Sequence, residues 1–217
     1  MKKIDLLLIQ FLLWARAQPL LYRFTIGSKV LLAVAFIPTG MVKVLGMRFS
    51  TMGTEYEAGA FFEMLYQSGY YWQFLGAAQV IAGLFILFER TAAFGSVMFL
   101  AIISNIYFIT ISYEFADTSF VAFGMLLASI WVALWNWHKI RYLFIDSLLP
   151  FIDSTNLTLS TIEKFVYFSG LVAGLIVFSF LRVSIISMPL FYFVLLLMVL
   201  SFIMAVVLGV INRKRKF

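Results

Sequence analysis

Apolar residues in this 217-residue chain form long, nearly uninterrupted runs separated by short polar segments. Several runs are about 20 residues long, which is what a helix rising ~1.5 Å per residue needs to cross a hydrocarbon core of ~30 Å. Membrane strands would be shorter and would alternate apolar with polar residues, and these runs do not alternate. The pattern therefore predicts an all-α, polytopic membrane protein with six transmembrane helices, at 26–46, 69–88, 92–112, 118–138, 164–186 and 189–211.

Residues 1–25 precede the first predicted span and carry four basic residues around a short apolar run. This arrangement is similar to a cleavable signal peptide. However, Asp5 and Gln10 interrupt the run, and Arg16 lies within the expected cleavage site. We therefore favour an N-terminal helix on the inner membrane interface, with Arg16 and Arg23 beside lipid head groups, and leave cleavage of residues 1–17 as the alternative.

Polar segments divide the rest of the chain. Residues 26–140 hold the first four predicted spans, 141–163 form a polar linker, and 164–217 form a predicted two-helix hairpin with a basic tail. Within the loop 47–68, apolar residues of 58–67 share one helical face, which is typical of a segment lying on the membrane. Gly170 and Gly174 form a GxxxG pattern, which predicts close helix packing in the hairpin.

The charge distribution orients these spans. Thirteen of the sixteen lysines and arginines fall on the side of the membrane that holds both termini, and three fall on the other side. Because basic residues accumulate in cytoplasmic segments, this asymmetry predicts that both termini are cytoplasmic. Apolar residues make up 64% of the chain, and the mean hydropathy of +1.03 agrees with residence in a lipid bilayer.

The composition also limits the chemistry. The chain has no cysteine and one histidine, which leaves no thiolate or bis-histidine ligand set for a metal, an iron–sulfur cluster or a haem. It contains no phosphate-binding loop and no Ser-His-Asp pattern. We expect the basic tail to anchor the chain at the membrane surface rather than to bind nucleic acid. We expect no metal and no covalent cofactor, and no catalytic residue can be assigned.

Polar side chains concentrate in the outer half of the first four predicted spans. In hydrocarbon such groups need partners, so we expect them to point into the bundle. They could form a pocket for a lipid-soluble ligand such as a quinone, whose carbonyl groups need hydrogen-bond donors. The alternative is a set of interhelical hydrogen bonds, each contributing about 0.6 kcal/mol. The candidate ligand-binding residues are Lys43, Glu63, Gln67, Tyr71, Gln73, Gln79, Asn105 and Thr110.

Lys43 and Glu63 form a candidate ion pair at the outer membrane boundary. Such a pair could attach the outer loop to the first span. It could also hold a carboxylate ready for proton exchange with a bound quinol. We favour the first interpretation.

Several segments resemble the DoxX-like family of bacterial membrane proteins. They are Phe36-Ile-Pro-Thr-Gly-Met-Val-Lys43, the stretch 61–76 (FFEMLYQSGYYWQFLG) with Gln79, Arg90-Thr91, and Ile103-Ser-Asn-Ile106. The resemblance covers residues 26–140. It implies a four-helix transmembrane bundle in the bacterial cytoplasmic (inner) membrane, here extended by the C-terminal hairpin. The departure from the family is at Ala101-Ile102, where members often have a proline.

The resemblance implies two classes of function. The family takes its name from a subunit of a thiosulfate:quinone oxidoreductase, and other members are linked to oxidative-stress complexes or to quinone and catechol detoxification. Eukaryotic relatives look like membrane chaperones or cargo receptors. We therefore expect a redox-associated subunit that binds a quinone and works with a membrane or soluble redox partner. The alternative is a non-catalytic assembly protein that binds another membrane protein, and a homo-oligomer is compatible with both.

Overall fold

The structure, a computed structural model, describes residues 2–50, 52–114, 116–144 and 157–182, together with the nine later positions 196, 199, 200, 202–204, 206, 207 and 211. All regular secondary structure in these residues is helical. The helices are α1 (Lys2–Ala17), α2 (Pro19–Val44), α3 (Glu57–Gln67), α4 (Tyr70–Leu87), α5 (Ala92–Ser112), α6 (Ala116–Trp135), α7 (Trp137–Ile140) and α8 (Thr161–Arg182), with a 3-10 turn at Arg141–Leu143 between α7 and α8.

Five of these helices are long and apolar enough to cross a membrane: α2, α4, α5, α6 from Thr118 onward, and α8 up to Phe180. They coincide with the first five predicted spans, so the chain is a multi-pass helical membrane protein. The exposed side chains of these helices are largely apolar, Phe74, Phe94 and Phe120 among them, as expected for surfaces that face lipid. The sixth predicted span and the basic tail fall outside the described residues, apart from the isolated positions given above.

Helices α2, α4, α5 and α6 enclose one apolar core. Phe36 of α2 stacks on Phe99 of α5, with ring centroids 3.6 Å apart, at the centre of this core. α2 is the helix shared by most of the packing, because it contacts α1, α4, α6 and α8. The other members of the buried cluster are Leu32, Ala33, Ala82, Ile86, Ile103 and Val132.

α2 and α4 touch through their backbones. A Cβ atom added to Gly40 would lie 2.7 Å from the carbonyl oxygen of Gly76, and one added to Gly76 would lie 2.6 Å from the carbonyl oxygen of Gly40. Only glycine allows two helices to approach this closely. In contrast, a Cβ at Gly170, in the predicted GxxxG pattern of α8, meets no described atom within 4 Å. α2 continues through Pro38 as a single helix.

The N-terminal region differs from the prediction. α2 begins at Pro19, seven residues before the predicted start of the first span, with proline in the first helical turn where its missing N–H costs nothing. Arg23 therefore lies inside α2, where it is 7% exposed. The predicted position of Arg23 beside lipid head groups is wrong, because its buried guanidinium binds Glu163 and the Pro19 carbonyl. Arg16 is half-buried and donates to the Trp135 carbonyl, and the position of α1 on the membrane interface stays a prediction.

The helix ends of the bundle form two opposite faces, the terminal face and the loop face. The terminal face carries α1, α7 and the turn between α4 and α5. The loop face carries residues 45–69, including α3, and the turn between α5 and α6. Of the predicted linker 141–163, residues 145–156 lie outside the described residues, and α8 begins at Thr161 on the terminal face.

Candidate functional site

Lys43 occupies the last turn of α2 near the loop face, and its ammonium group is buried with the side chain of Gln79. Its Nζ donates to Gln79 Oε1 at 2.8 Å and to the carbonyl oxygen of Thr39 at 3.2 Å. The close approach of Gly40 and Gly76 brings α2 and α4 near enough for this contact. The structure thus joins two of the eight predicted site residues directly.

Aromatic rings surround the ammonium group. Lys43 Nζ lies 4.4 Å from the ring centroid of Phe49 and 5.2 Å from that of Trp72, which is cation–π geometry. Trp72 is buried, and its indole Nε1 donates to the carbonyl oxygen of Met47 at 3.0 Å. That bond holds the chain that leaves α2 against the start of α4.

The end of α2 places Phe49 over the site. Gly46 adopts a left-handed conformation (φ 67°) immediately after the helix, and its N–H bonds the carbonyl of Lys43 at 3.0 Å. The N–H of Met47 reaches the carbonyl of Val42 at 2.9 Å. These two bonds form a Schellman motif, in which glycine is the favoured left-handed residue. The motif turns the chain back over Lys43.

The orientation of the Gln79 amide follows from its partner. An ammonium group can only donate, so the oxygen of the amide must face Lys43 and the nitrogen must lie on the other branch. Gln79 is 5% exposed, and its Nε2 makes no hydrogen bond within the part of the chain that the structure describes. Nε2 is not one of the fully buried polar atoms that lack a partner there, so the small exposed surface of Gln79 includes this nitrogen. The site therefore holds two unused N–H donors on a largely buried residue, and the ammonium at Oε1 polarises them.

Glu63 belongs to a separate, exposed cluster on the loop face. Arg48 donates to its two carboxylate oxygens, each at 2.9 Å, and Gln67 Nε2 donates to one of them at 3.2 Å. The hydrogen bond from Arg48 lowers the pKa of Glu63. The candidate Lys43–Glu63 pair is therefore wrong, because the guanidinium fork of Arg48 matches both oxygens of the carboxylate.

The remaining predicted residues do not line the space beside Gln79. Tyr71, Gln73 and Asn105 are exposed on the outside of the bundle. Thr110 is buried between α5 and α6, where its hydroxyl donates to the Tyr107 carbonyl at 2.8 Å. The structure thus divides the eight residues into a buried pair, a surface cluster and separate positions, and it does not form one pocket from them.

The terminal face carries a charged network that the sequence analysis missed. Asp5 of α1 accepts a hydrogen bond from the indole of Trp137 at 2.9 Å and from Arg141 at 3.2 Å. The Arg141 side chain is 1% exposed. These contacts fix the beginning of α1 to the region around α7, 132 and 136 residues further along the chain.

Arg16 fixes the other end of α1. Its guanidinium donates to the carbonyl oxygen of Trp135 and to Nδ1 of His138, each at 3.1 Å. A guanidinium can only donate, so this contact assigns the acceptor role to Nδ1 and the ring proton to Nε2. Burial, followed by the charges of Arg16 and Lys139, lowers the pKa of His138 to about 4.

Arg23 and Glu163 join α2 to α8. Arg23 Nε donates to one carboxylate oxygen of Glu163. The other oxygen accepts from the backbone N–H of Ser160 at 2.8 Å, and Ser160 Oγ accepts from the N–H of Glu163 at 3.3 Å. This is a capping box, and the Ser160-x-x-Glu163 spacing was the one sequence signal that could have located it. Tyr167 adds a bond to the Arg23 carbonyl at 3.2 Å.

The two best-formed cavities of the described chain lie away from Gln79. One, of about 30 Å³, is the size of a water molecule and lies between α2 and α8, where Gly27 and Tyr167 contribute to its wall. The other is lined only by apolar side chains of α2 and of the last described residues, including Phe24 and Phe202. Gln79 lines neither of these two cavities, and the ring of Phe49 lies against the ammonium group of Lys43. In the described ranges no group of three His, Asp or Glu side chains could hold a metal ion.

Comparison with known proteins shows that the chain is similar in sequence to a bacterial protein. It is 30% identical over 112 residues to "Uncharacterized protein YwoB" of Bacillus subtilis (strain 168), and the match covers 48% of this chain and 73% of that protein. No protein-family model and no solved structure matches the chain.

Proposed function

Since this chain belongs to the same protein family as YwoB, an uncharacterised protein, we propose a function from its own geometry. It is a redox-associated membrane subunit that binds a quinone, or a similar lipid-soluble carbonyl compound, at the amide of Gln79. The observation that carries the proposal is the pair of unused N–H donors on Gln79, a largely buried residue in the middle of α4 whose amide nitrogen keeps some accessible surface. The resemblance of residues 26–140 to the DoxX-like family favours the same class of ligand.

The depth of Gln79 explains why a ligand would bind there. Gln79 lies nine residues after the start of α4 and eight before its end, which is about 12 to 14 Å from each end. Water does not reach this depth of the hydrocarbon, and an unpaired buried donor costs about 1–3 kcal/mol. A quinone carbonyl arriving from the lipid would satisfy that donor. Phospholipid acyl chains would not, because they carry no acceptor at this depth.

Lys43 and the two aromatic rings suit the rest of a quinone. The ammonium bonded to Gln79 Oε1 strengthens the N–H donors and favours negative charge on a ligand that gains an electron. Phe49 and Trp72 offer ring surfaces beside it. The chain has no cysteine and no metal cluster in its described residues, so electrons would have to pass to or from a membrane or soluble redox partner.

The experiment compares two identical substitutions on one helix. Gln79→Glu keeps an oxygen partner for Lys43 and removes both N–H donors, whereas Gln73→Glu changes an exposed amide of α4. We expect the purified wild type and Gln73→Glu to carry quinone at near one molecule per chain, by mass spectrometry of extracted lipids. Gln79→Glu should carry at least tenfold less while eluting and melting as the wild type does.

Two results would overturn this function. One is wild-type protein that carries only bulk phospholipid. The other is Gln79→Glu that keeps its quinone. Either result would favour the alternative function, a non-catalytic assembly or chaperone-like protein that binds another membrane protein, and a stable co-purifying partner would then be expected. The observation that favours this alternative is a polar side chain on the lipid-facing surface of α5.

A further inference from the structure

Asn105 places a carboxamide on the lipid-facing surface of a membrane-spanning helix. It lies on α5, thirteen residues after Ala92 and seven before Ser112, or about 20 Å and 10 Å from the two ends. Its side chain is exposed, on a face of α5 away from its neighbours α4 and α6. This is well inside the hydrocarbon, where an exposed amide is unfavourable without a partner.

The amide of Asn105 is only partly satisfied within its own chain. Nδ2 donates to the carbonyl oxygen of Ala101, one turn earlier, at 3.2 Å. That bond identifies the nitrogen, because a carbonyl can only accept. The second N–H and the oxygen Oδ1 make no hydrogen bond within the described part of the chain. Asn105 thus presents one donor and one acceptor side by side to the lipid.

A second copy of this chain fits that pattern better than an unrelated protein does. A donor beside an acceptor is self-complementary, so two such amides can exchange two hydrogen bonds. Copies inserted in the same orientation carry Asn105 at the same depth, and a two-fold axis along the membrane normal brings identical positions of parallel helices together. Exposed positions 97, 101, 105, 108 and 112 share the same face of α5, and Ala101 leaves room for close approach one turn from the amide.

We propose that this face of α5 is the interface of a homodimer, in which the Asn105 side chains of two copies hydrogen-bond to each other across the two-fold axis. The interface does not depend on a ligand at Gln79, which lies inside the bundle on α4. The dimer would bury the amide atoms that are otherwise exposed to hydrocarbon. This proposal gives Asn105 a role at the surface of the bundle, in place of the interior ligand-binding role that the sequence predicts.

The absence of cysteine from the chain makes a direct test possible. Ala101→Cys introduces a single thiol on the proposed interface and keeps Asn105. Leu127→Cys introduces one on the exposed face of α6, eight residues from the end of that helix and at similar depth. After oxidation with copper phenanthroline in native membranes, we expect a disulfide-linked dimer for Ala101→Cys and little for Leu127→Cys.

The role of the amide is tested in the same background. Adding Asn105→Leu to Ala101→Cys should lower the dimer association constant by roughly 3- to 20-fold, the range expected for an interhelical hydrogen bond, and Asn105→Gln should restore part of it. Elution of the Asn105→Leu protein in detergent reports that the fold is kept. The proposal is overturned if Ala101→Cys cross-links no more than Leu127→Cys, if Asn105→Leu leaves the cross-link unchanged, or if the thiol links instead to a different protein.

Discussion

The ion pair between Arg23 and Glu163 gives the sharpest test of how α8 is held to the bundle. We expect Glu163→Ala to destabilise the protein strongly, because both side chains are almost inaccessible, at 9% and 2% exposure. The substitution leaves a guanidinium without its carboxylate and leaves the N–H of Ser160 without its acceptor.

The expected loss of unfolding free energy follows from the burial of the ion pair. Removing one partner of a buried ion pair costs about 3–5 kcal/mol, because the other charge stays desolvated. Arg23 keeps a hydrogen bond to the carbonyl of Pro19 at 3.1 Å, which favours the lower end of that range. A loss of about 3 kcal/mol corresponds to roughly 6–12 °C in melting temperature for a chain of this size.

The assay is thermal denaturation of the detergent-solubilised protein, followed by tryptophan fluorescence. Glu63→Ala is the matched control, because it removes a carboxylate from an exposed arginine pair and should change the melting temperature little. The double variant Arg23→Met with Glu163→Leu should recover most of the loss, since apolar side chains replace buried pairs well. The reasoning fails if Glu163→Ala melts like Glu63→Ala, or if the double variant is less stable than either single one.

Two further predictions concern the terminal face and the contact between α2 and α4. The folded-state pKa of His138 is about 4, and its ordinary value is about 6.5. Between these pH values the unfolded chain binds more protons than the folded chain does. The contribution of His138 to stability should therefore be complete above pH 6.5 and fall as the pH is lowered toward 4. His138→Asn, which retains an acceptor for Arg16, should flatten melting curves measured across this range, and an unchanged pH dependence would contradict the assignment. Gly76→Ala should lower the free energy of unfolding by about 1–3 kcal/mol, because the added methyl group would lie 2.6 Å from backbone. Gly124→Ala is the control: its methyl group would meet no atom within 4 Å, so this variant should melt like the wild type or slightly higher. Equal melting temperatures of the two variants would refute the close contact between α2 and α4.

The sequence was sufficient to predict the class of the fold and five of its spans, because length and hydropathy are local properties. It grouped Lys43 with Gln79, which are in contact, but it placed Asn105 in the same pocket, and Asn105 lies on the outside of the bundle. It placed Arg23 wrongly because a basic residue before an apolar run is typical of a membrane boundary, and its partner Glu163 lies 140 residues away. No local pattern indicates that pairing, apart from the serine that caps α8.

Asn105 shows a second limit of prediction from sequence. Membrane amides are expected to point inward, but α5 is so uniformly apolar that no stripe of its sequence distinguishes a lipid face from a core face. The bond from Asn105 to its own helix lowers the cost of exposure, and packing of α5 against α4 and α6 then decides its direction. Helix packing likewise decides the burial of Gln73 and Gln79 on α4: they lie six residues apart, and the first is exposed while the second is buried.

The contacts of α1 have a consequence for the order of events during synthesis. The groups that hold this helix, Trp135, Trp137, His138 and Arg141, are 119 to 136 residues downstream of their partners. At ~5–20 residues per second, a ribosome needs roughly 6 to 27 s to synthesise the chain between the residues of α1 and these partners. For that period α1 exists without its binding site, and its charged and apolar faces suit it to wait at the membrane surface. Of the described helices, α1 is thus the earliest in the chain and among the last to dock.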